Sequence, residues 1–294
     1  MCRLVSGRVS RKQVVGVIGL GDIGRGVATG VAAAGHDLVV CDVRPEATAA
    51  FAGSAEVALS PADLGVRVDV AVVAVVNDEQ VRQVVLPPDG LLSTMSVGGA
   101  VVILSTVSLD TVRAVADGAA GRGVAVVDCG VSGGPSAAAT GELVSMVGGG
   151  EDAVAQAMPV LEAFSSEVVR MGPLGAGLQA KLARNIVQYV SWMAAYEAQK
   201  LAEAAGVSLT RLARVIKASD AKIGGASTLM FRKTVAPFGP EDDAGLVGAM
   251  RTAAGLAHKD LGAALSLATE LGVELPVTAL AESRIDDAFG VGHG

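Results

Sequence analysis

The feature that most constrains this chain is a six-residue run, Gly19-Leu20-Gly21-Asp22-Ile23-Gly24, set between an apolar stretch, Val14–Ile18, and a helical one that ends at Ala34. A G-x-G-x-x-G pattern arises by chance in glycine-rich sequences, and this chain has 38 glycines among 294 residues. Its meaning comes from its position between strand and helix. Gly19 permits the tight turn, Gly21 lets backbone approach a pyrophosphate, and Gly24 lets the helix pack on the strand. The helix N-terminus then offers unpaired N–H groups and the positive end of its dipole. With Leu20, Asp22 and Ile23 these residues are expected to cradle a dinucleotide. The second apolar run, Asp37–Cys41, ends at Asp42. A carboxylate there accepts hydrogen bonds from the adenosine ribose and repels a 2′-phosphate, which favours NAD, whereas Arg44 keeps NADP open. The plainer reading of Asp42 is a strand-end residue that starts a turn before Pro45.

Val-rich runs continue beyond the loop. Val14–Ile18, Asp37–Cys41, Val68–Val76, Ala100–Leu104 and Val124–Asp128 are apolar on both faces, as strands buried inside a parallel sheet are. Gly24–Ala34, Gln80–Leu86 and Leu109–Gly121 lie between them and read as helices, so the alternation predicts a doubly wound α/β, Rossmann-type domain. A strand over Leu143–Val147 and a helix over Asp152–Phe164 complete this domain, residues 13–173. After Gly172 the strand signal stops. Gly177–Gly206 reads as one long helix with Leu178, Leu182, Ile186, Tyr189 and Met193 at spacings of three and four. Leu209–Ser219, Gly245–Leu271 and a segment after Pro276 are further helices. Residues 174–294 are therefore expected to form an all-α domain for substrate binding and oligomerisation, entered through the long helix.

Composition narrows the function classes. Hydrophobic residues make up 51% of the chain but aromatics only 3%, so the core must be built from Ala, Val and Leu. A net charge of −7 with no Lys/Arg cluster argues against a nucleic-acid surface. The longest apolar stretches, such as Val70–Val76, fall far short of the roughly 20 residues of a membrane-spanning helix. Arg3, Arg8, Arg11 and Lys12 are followed by no apolar run, so residues 1–12 are expected to be a disordered tail rather than a secretory signal. Cys2, Cys41 and Cys129 are scattered and odd in number, which fits a reducing cytoplasm. His36, His258 and His293 form no cluster, and no metal site is expected. The alanines of the long helix (Ala194, Ala195, Ala198, Ala202) favour close helix packing and a homodimer or homotetramer.

Hydride exchange with an alcohol requires a proton donor/acceptor at the oxygen, a group that orients that oxygen, and a clamp for the rest of the substrate. Lys181 and Asn185, four residues apart near the start of the long helix, share one face, which Gln188 and Trp192 continue. A lone helical lysine is ordinarily part of a solvated stripe. Here the small lead-in Gly175-Ala176-Gly177 permits close approach of another surface. Ser132-Gly133-Gly134-Pro135 follows the fifth strand, at the carboxyl end where such sheets bind ligands. Its N–H groups and hydroxyl suit a carboxylate, the alternative being an ordinary glycine turn.

Together these motifs resemble the β-hydroxyacid dehydrogenase family, from Val14 to about Phe289. The resemblance implies an oxidoreductase that moves a hydride between NAD(P) and a small 3-hydroxy acid or its semialdehyde, as 3-hydroxyisobutyrate dehydrogenases do. Ser105-Thr106-Val107-Ser108 looks like the family's cofactor-contacting segment, with Thr106 near the nicotinamide half. Val75-Val76 stands where the family has Leu-Pro, which makes Val76 a cofactor neighbour. Ser132-Gly133-Gly134-Pro135, with Gly141 and Leu143 behind it, is similar to the substrate loop. Gly175-x-Gly177-x-x-x-Lys181-x-x-x-Asn185 is similar to the catalytic signature, and Lys259-Asp260-Leu261 to a late pair whose lysine reaches the cofactor. By this resemblance Lys181 is the general acid/base, Asn185 holds the substrate, and Ser132, Gly133 and Gly134 bind the acid group. An ordinary lysine titrates near about 10.4, so service as a base requires burial or a nearby positive charge.

Departures from the family pattern bear on the pocket walls. Gly130 replaces a Pro, Ile103 an Asp, Arg184 a second Asn, and Thr252 a Phe. Two rival families share part of this pattern. An imine reductase shares the loop and the helical domain but generally lacks a lysine at the position of Lys181. A non-catalytic dinucleotide-binding protein on the same fold has no need of Lys181, Asn185 or the Ser-Gly-Gly loop.

Overall fold

A computed structural model of the chain describes residues 12–292 apart from 233. Residues 1–11 of the expected tail lie outside that range. The strands are β1 (Val14–Ile18), β2 (Asp37–Cys41), β3 (Glu56–Val57), β4 (Val70–Val73), β5 (Ala100–Ile103), β6 (Ala125–Ser132), β7 (Leu143–Gly148) and β8 (Ser165–Gly172). They form one sheet in the order β3-β2-β1-β4-β5-β6-β7-β8. From β3 to β6 all neighbours are parallel, so the chain reverses its direction of travel across the sheet between β1 and β4. That reversal opens a crevice at the carboxyl ends of the strands, where doubly wound sheets bind ligands.

Helices cover both faces: α1 (Asp22–Ala33), α2 (Pro45–Ala49), α3 (Pro61–Gly65), α4 (Asp78–Val85), α5 (Leu109–Ala119), α6 (Gly134–Thr140) and α7 (Glu151–Glu162). Strand alternation divides the apolar side chains between two cores. Val15, Val17, Val70, Val72 and Val102 pack on one face, and Ile18, Ala71, Val73, Val101 and Ile103 on the other. This two-sided burial is the physical content of the unbroken Val/Ile runs.

The strands differ from expectation at three places. β4 is shorter than Val68–Val76, because Ala74–Val76 leave the sheet to reach the N-cap Asn77 of α4. β6 runs past Asp128 to Ser132, and beyond that point it is held by β7 in antiparallel pairing rather than by a parallel neighbour. β8 was not foreseen. It is an edge strand whose Ser165, Ser166, Glu167 and Arg170 break any apolar run, and only its pairing with β7 reveals it.

Two compact units divide inside the long helix α8 (Ala176–Ala204), the first ending at Arg184 and the second starting at Asn185. The helix begins with the sheet unit because its first turn is bonded to β6, as described below. The second unit contains α9 (Leu209–Ile223), α10 (Ala244–Glu270) and α11 (Pro276–Phe289). Within it the buried Glu197 of α8 accepts the Val277 and Thr278 N–H groups, each at 2.8 Å, and so caps α11. His258 of α10 bridges Glu282 (3.0 Å) and Asp286 (3.2 Å) of α11. No described helix is long and apolar enough to cross a membrane.

Candidate active site

The glycine loop forms as a turn from β1 into α1. Gly19 has φ +90°, a conformation that side chains disfavour, and a methyl group there would lie 2.6 Å from the Ala74 carbonyl oxygen. Its N–H donates to the Cys41 carbonyl at 2.9 Å, tying the loop to the end of β2. A methyl on Gly24 would collide with the Gly19 carbonyl, so α1 lies directly on the turn. Around Gly21, the N-cap of α1, there is open space, as a cradle for a pyrophosphate requires. Asp22 is exposed at the first position of α1, Ile23 is half-buried, and Leu20 is wholly in the core.

Leu20 reaches this site through its backbone. Its N–H donates to Asp42 Oδ2 at 2.6 Å. Arg44 closes over the same carboxylate, with its N–H (2.9 Å) and Nε (3.0 Å) on Oδ1 and its Nη2 (3.1 Å) on Oδ2. The Asp42 side chain is only 5% exposed. Burial alone would raise its titration point. The Arg44 guanidinium and the two N–H donors outweigh burial and bring it to about 2. The pair that separately argued for NAD and NADP in the sequence is thus one ion pair in the fold.

Beside the loop, the segments after β4 and β5 hold each other. Ser105 is buried and its hydroxyl donates to the Val75 carbonyl at 2.7 Å. Ser108 donates through its N–H at 2.9 Å, and through its hydroxyl, to Asp78 Oδ1. Bonds from Ser108 and then Thr111 hold the Asp78 carboxyl below its ordinary range. This latch leaves Val76 and Thr106 exposed at the ends of adjacent parallel strands. The Val76 N–H is itself engaged, donating to Gln80 Oε1 at 2.9 Å. Sequence reasoning missed Asp78. Its signal was the helix-start pattern Asn77-Asp78-Glu79-Gln80, which marks an N-cap.

The remaining chemistry gathers where α8 meets β6. Asp128 is fully buried, and its carboxylate accepts the Gly175 N–H on Oδ1 (2.6 Å) and the Leu178 N–H on Oδ2 (2.7 Å). Two residues on, a methyl on Gly130 would lie 2.5 Å from Lys181 Cβ and 3.0 Å from the Gly177 carbonyl oxygen. The lysine-bearing helix thus rests directly on the Gly130 backbone. Alternation along β6 puts Asp128, Gly130 and Ser132 on the one face that meets α8. Lys181 and Ser132 are each half-buried. Burial, and then the Arg184 guanidinium, lower the Lys181 titration point below that of a free lysine. Gly133 (φ +123°) and Gly134 (φ +68°) turn the chain from β6 into α6, and their backbone is exposed. Asn185 follows Lys181 by one helical turn and is half-buried.

Lys259 lies in α10 with a side chain 70% exposed and paired with Asp260 at 3.2 Å. Thr252, one of the departures, is also on α10, and its hydroxyl donates to the Gly248 carbonyl.

Comparison with known proteins divides the chain just ahead of α8. Residues 14–172 match the family described as the NAD binding domain of 6-phosphogluconate dehydrogenase. Residues 175–293 match the family described as NAD-binding of NADP-dependent 3-hydroxyisobutyrate dehydrogenase. An uncharacterized oxidoreductase of Mycobacterium tuberculosis is 39% identical over 95% of this chain and 94% of its own length. The L-threonate dehydrogenase of Cupriavidus necator is 34% identical over 95% of this chain and 92% of its own. The crystal structure of an oxidoreductase from Mycobacterium avium 104 superposes with a TM-score of 0.88 at 36% identity, over 96% of this chain and all of that one.

Proposed function

The chain is an NAD(P)-dependent oxidoreductase of the β-hydroxyacid dehydrogenase family, and from that premise we propose that it interconverts a short 3-hydroxy acid and its semialdehyde through Lys181 as the proton-transfer residue. The observation that carries this reading is the placement of a half-buried lysine of lowered titration point against β6, on the face that ends in Ser132. Bound at the glycine loop, the nicotinamide cofactor supplies the hydride acceptor or donor. The open space at Gly21 and the packing of Gly24 on Gly19 fit a dinucleotide there. Gly19–Gly24 hold the pyrophosphate, Asp42 the adenosine ribose, and Val76, Thr106 and Lys259 line the cofactor.

Lys181 takes the hydroxyl proton in oxidation and returns it to the carbonyl oxygen in reduction. Desolvation lowers the cost of the neutral amine, which suits the same residue to take a proton as well as to give one. Asn185 orients the reacting oxygen. Ser132, Gly133 and Gly134 receive the carboxylate through the hydroxyl and exposed backbone N–H groups. Thr252 is smaller than the usual Phe, so longer or branched acids are accepted. NAD is the proposed cofactor, and the Arg44 fork over Asp42 favours NADP as the second reading.

The protein works as a homodimer or homotetramer in the cytoplasm. The exposed apolar side chains of α8 support the first statement, and the buried free thiols of Cys41 and Cys129 support the second. A spectrophotometric screen of hydroxy acids and semialdehydes with NAD and NADP tests the whole reading. Turnover of an acid, with at least a tenfold loss in kcat/KM for its neutral amide, is the expected result. Equal rates for acid and amide would remove the carboxylate clamp, and cofactor binding without any turnover would remove the catalytic reading.

A further inference from the structure

We propose that Asp128 is a positioning residue for the reaction, whose buried carboxylate straps the first turn of α8 to β6 and thereby sets where the Lys181 amine stands relative to Ser132. The inference rests on the reading of Lys181 as the acid/base.

The strap is built from groups that have no other outlet. A helix start leaves four N–H donors without partners in the helix, and a carboxylate with no solvent exposure must have its oxygens satisfied. Asp128 answers both needs, taking the Gly175 and Leu178 N–H groups one to each oxygen. These bonds join a carboxylate to the positive end of a 29-residue helix, the charge-assisted arrangement that is shorter and stronger than a neutral one. The space around the carboxylate is closed. A methyl group on Gly148 would collide with Asp128 Oδ1, and one on Gly177 with the Met146 carbonyl.

Register makes the strap matter for Lys181. Gly177 lies against the Asp128 carbonyl, and Lys181 lies against Gly130. Two strand residues advance roughly 6.6 Å and four helical residues about 6 Å, so β6 and the start of α8 run side by side in step. A slip of one residue at the strap would move Lys181 about 1.5 Å along the helix and turn it about 100° away from the face it shares with Ser132. Misplacement by about 1 Å is enough to lower a rate on the order of a hundredfold.

The test is Asp128→Asn, which keeps one acceptor oxygen and turns an NH2 group toward the other backbone donor. Cofactor titration counts the folded sites. Per folded site, kcat should fall at least tenfold, cofactor Kd should stay within about twofold, and the Lys181 limb of the kcat–pH profile should shift. A residue needed only for folding would lower the number of sites and leave kcat and the limb of the survivors unchanged, which overturns the proposal. Gly130→Ala serves as a second probe that alters no charge. Its methyl group presses on Lys181 from the strand, so the limb should move up, toward the value of a hydrated lysine, and an unchanged limb overturns the register argument. Hydrogen exchange on the unaltered protein provides a third arm. The Gly175 and Leu178 amides should exchange at least a hundredfold more slowly than unprotected amides, and unprotected exchange there overturns the strap whatever the variants do. Lys181→Ala, measured alongside, separates the two ideas. Normal kcat in that variant overturns the acid/base reading, whereas loss in Lys181→Ala with normal kcat in Asp128→Asn overturns only the strap.

Discussion

In the sheet unit, Val70, Ala71, Val72 and Val73 of β4 and Ala100, Val101, Val102 and Ile103 of β5 have no solvent exposure at all. In the helical unit, α9 and α11 bury no described residue, and α10 buries only Ala254 and Ala268. Along α8, Ile186 is 65% exposed and Trp192 59%, with Tyr189, Met193 and Tyr196 close to half exposed. Both regions are rich in Ala, Val and Leu. A strand buried between two helical layers uses both of its faces within one chain, but an amphipathic helix needs a surface to lie on. The contrast teaches that the first unit completes its core alone, while the described helices of the second leave apolar faces exposed, which is what the proposed self-association would cover.

The largest test of this contrast is chemical. Lys181 belongs to the self-sufficient unit, so Lys181→Ala should cut kcat by on the order of a hundredfold or more and leave the cofactor Kd almost unchanged. Stopped-flow turnover and fluorescence titration measure the two quantities, and near-normal kcat would end the assignment. Next in size is Ile186→Glu on the exposed face of α8. It should weaken self-association at least tenfold by light scattering while cofactor affinity holds. A wild-type protein already monomeric at 29.2 kDa would break the comparison.

Asp42→Ala should raise the NADP-to-NAD ratio of kcat/KM by about tenfold, roughly 1.4 kcal/mol. Because the Asp42 carboxyl titrates near about 2, the wild-type preference should be flat from neutral pH down through the ordinary carboxylate range. A preference that decays between pH 5 and 4 would show that the Asp42–Arg44 pair is open in solution.

Smaller effects belong to the helical unit. Glu197→Gln removes a charged cap from α11 and should lower stability by about 1–2 kcal/mol at neutral pH. Burial raises the Glu197 titration point, but bonds from Thr278 and Val277 and the charge of Lys200 lower it further, so the net shift is downward. The stabilisation is therefore present above the ordinary value of 4.5 and is lost as pH falls through the lowered one. Melting curves of both proteins should converge in acid. The smallest change is expected for His258→Gln. The Glu282 bond raises the His258 titration point most, burial opposes it, and Asp286 adds to the rise. Its contribution is complete below the ordinary value of 6.5 and fades as pH climbs past the raised one. A Tm difference that grows toward alkaline pH would contradict that sign.

What could be read from sequence follows the same divide. The apolar runs of β1, β2 and β5, the glycine loop and the long helix were legible because each is a local pattern. β8 was not, since an edge strand half-covered by α7 carries no apolar run. The antiparallel turn of β6 onto β7 was hidden as well, because Leu143–Val147 looks the same in either direction. At the site, Lys181, Asn185 and Ser132 stood out by spacing and resemblance. Asp128 passed as the last residue of an apolar run, and Asp78 lay just ahead of the expected helix Gln80–Leu86.

By itself the sequence determined the doubly wound domain, the place of the glycine loop and the helical second half. In each case the cause is periodicity or backbone freedom within a few residues. The tertiary structure decided that Arg44 would close over the Asp42 carboxylate, that the Leu20 N–H would bind the same carboxylate, and that Asp128 would hold the start of α8 through Gly175 and Leu178, the latter fifty positions away. Those outcomes depend on which buried donors are left without partners once the elements pack. No local pattern carries that information, because a buried carboxylate takes whatever N–H groups the fold delivers to it.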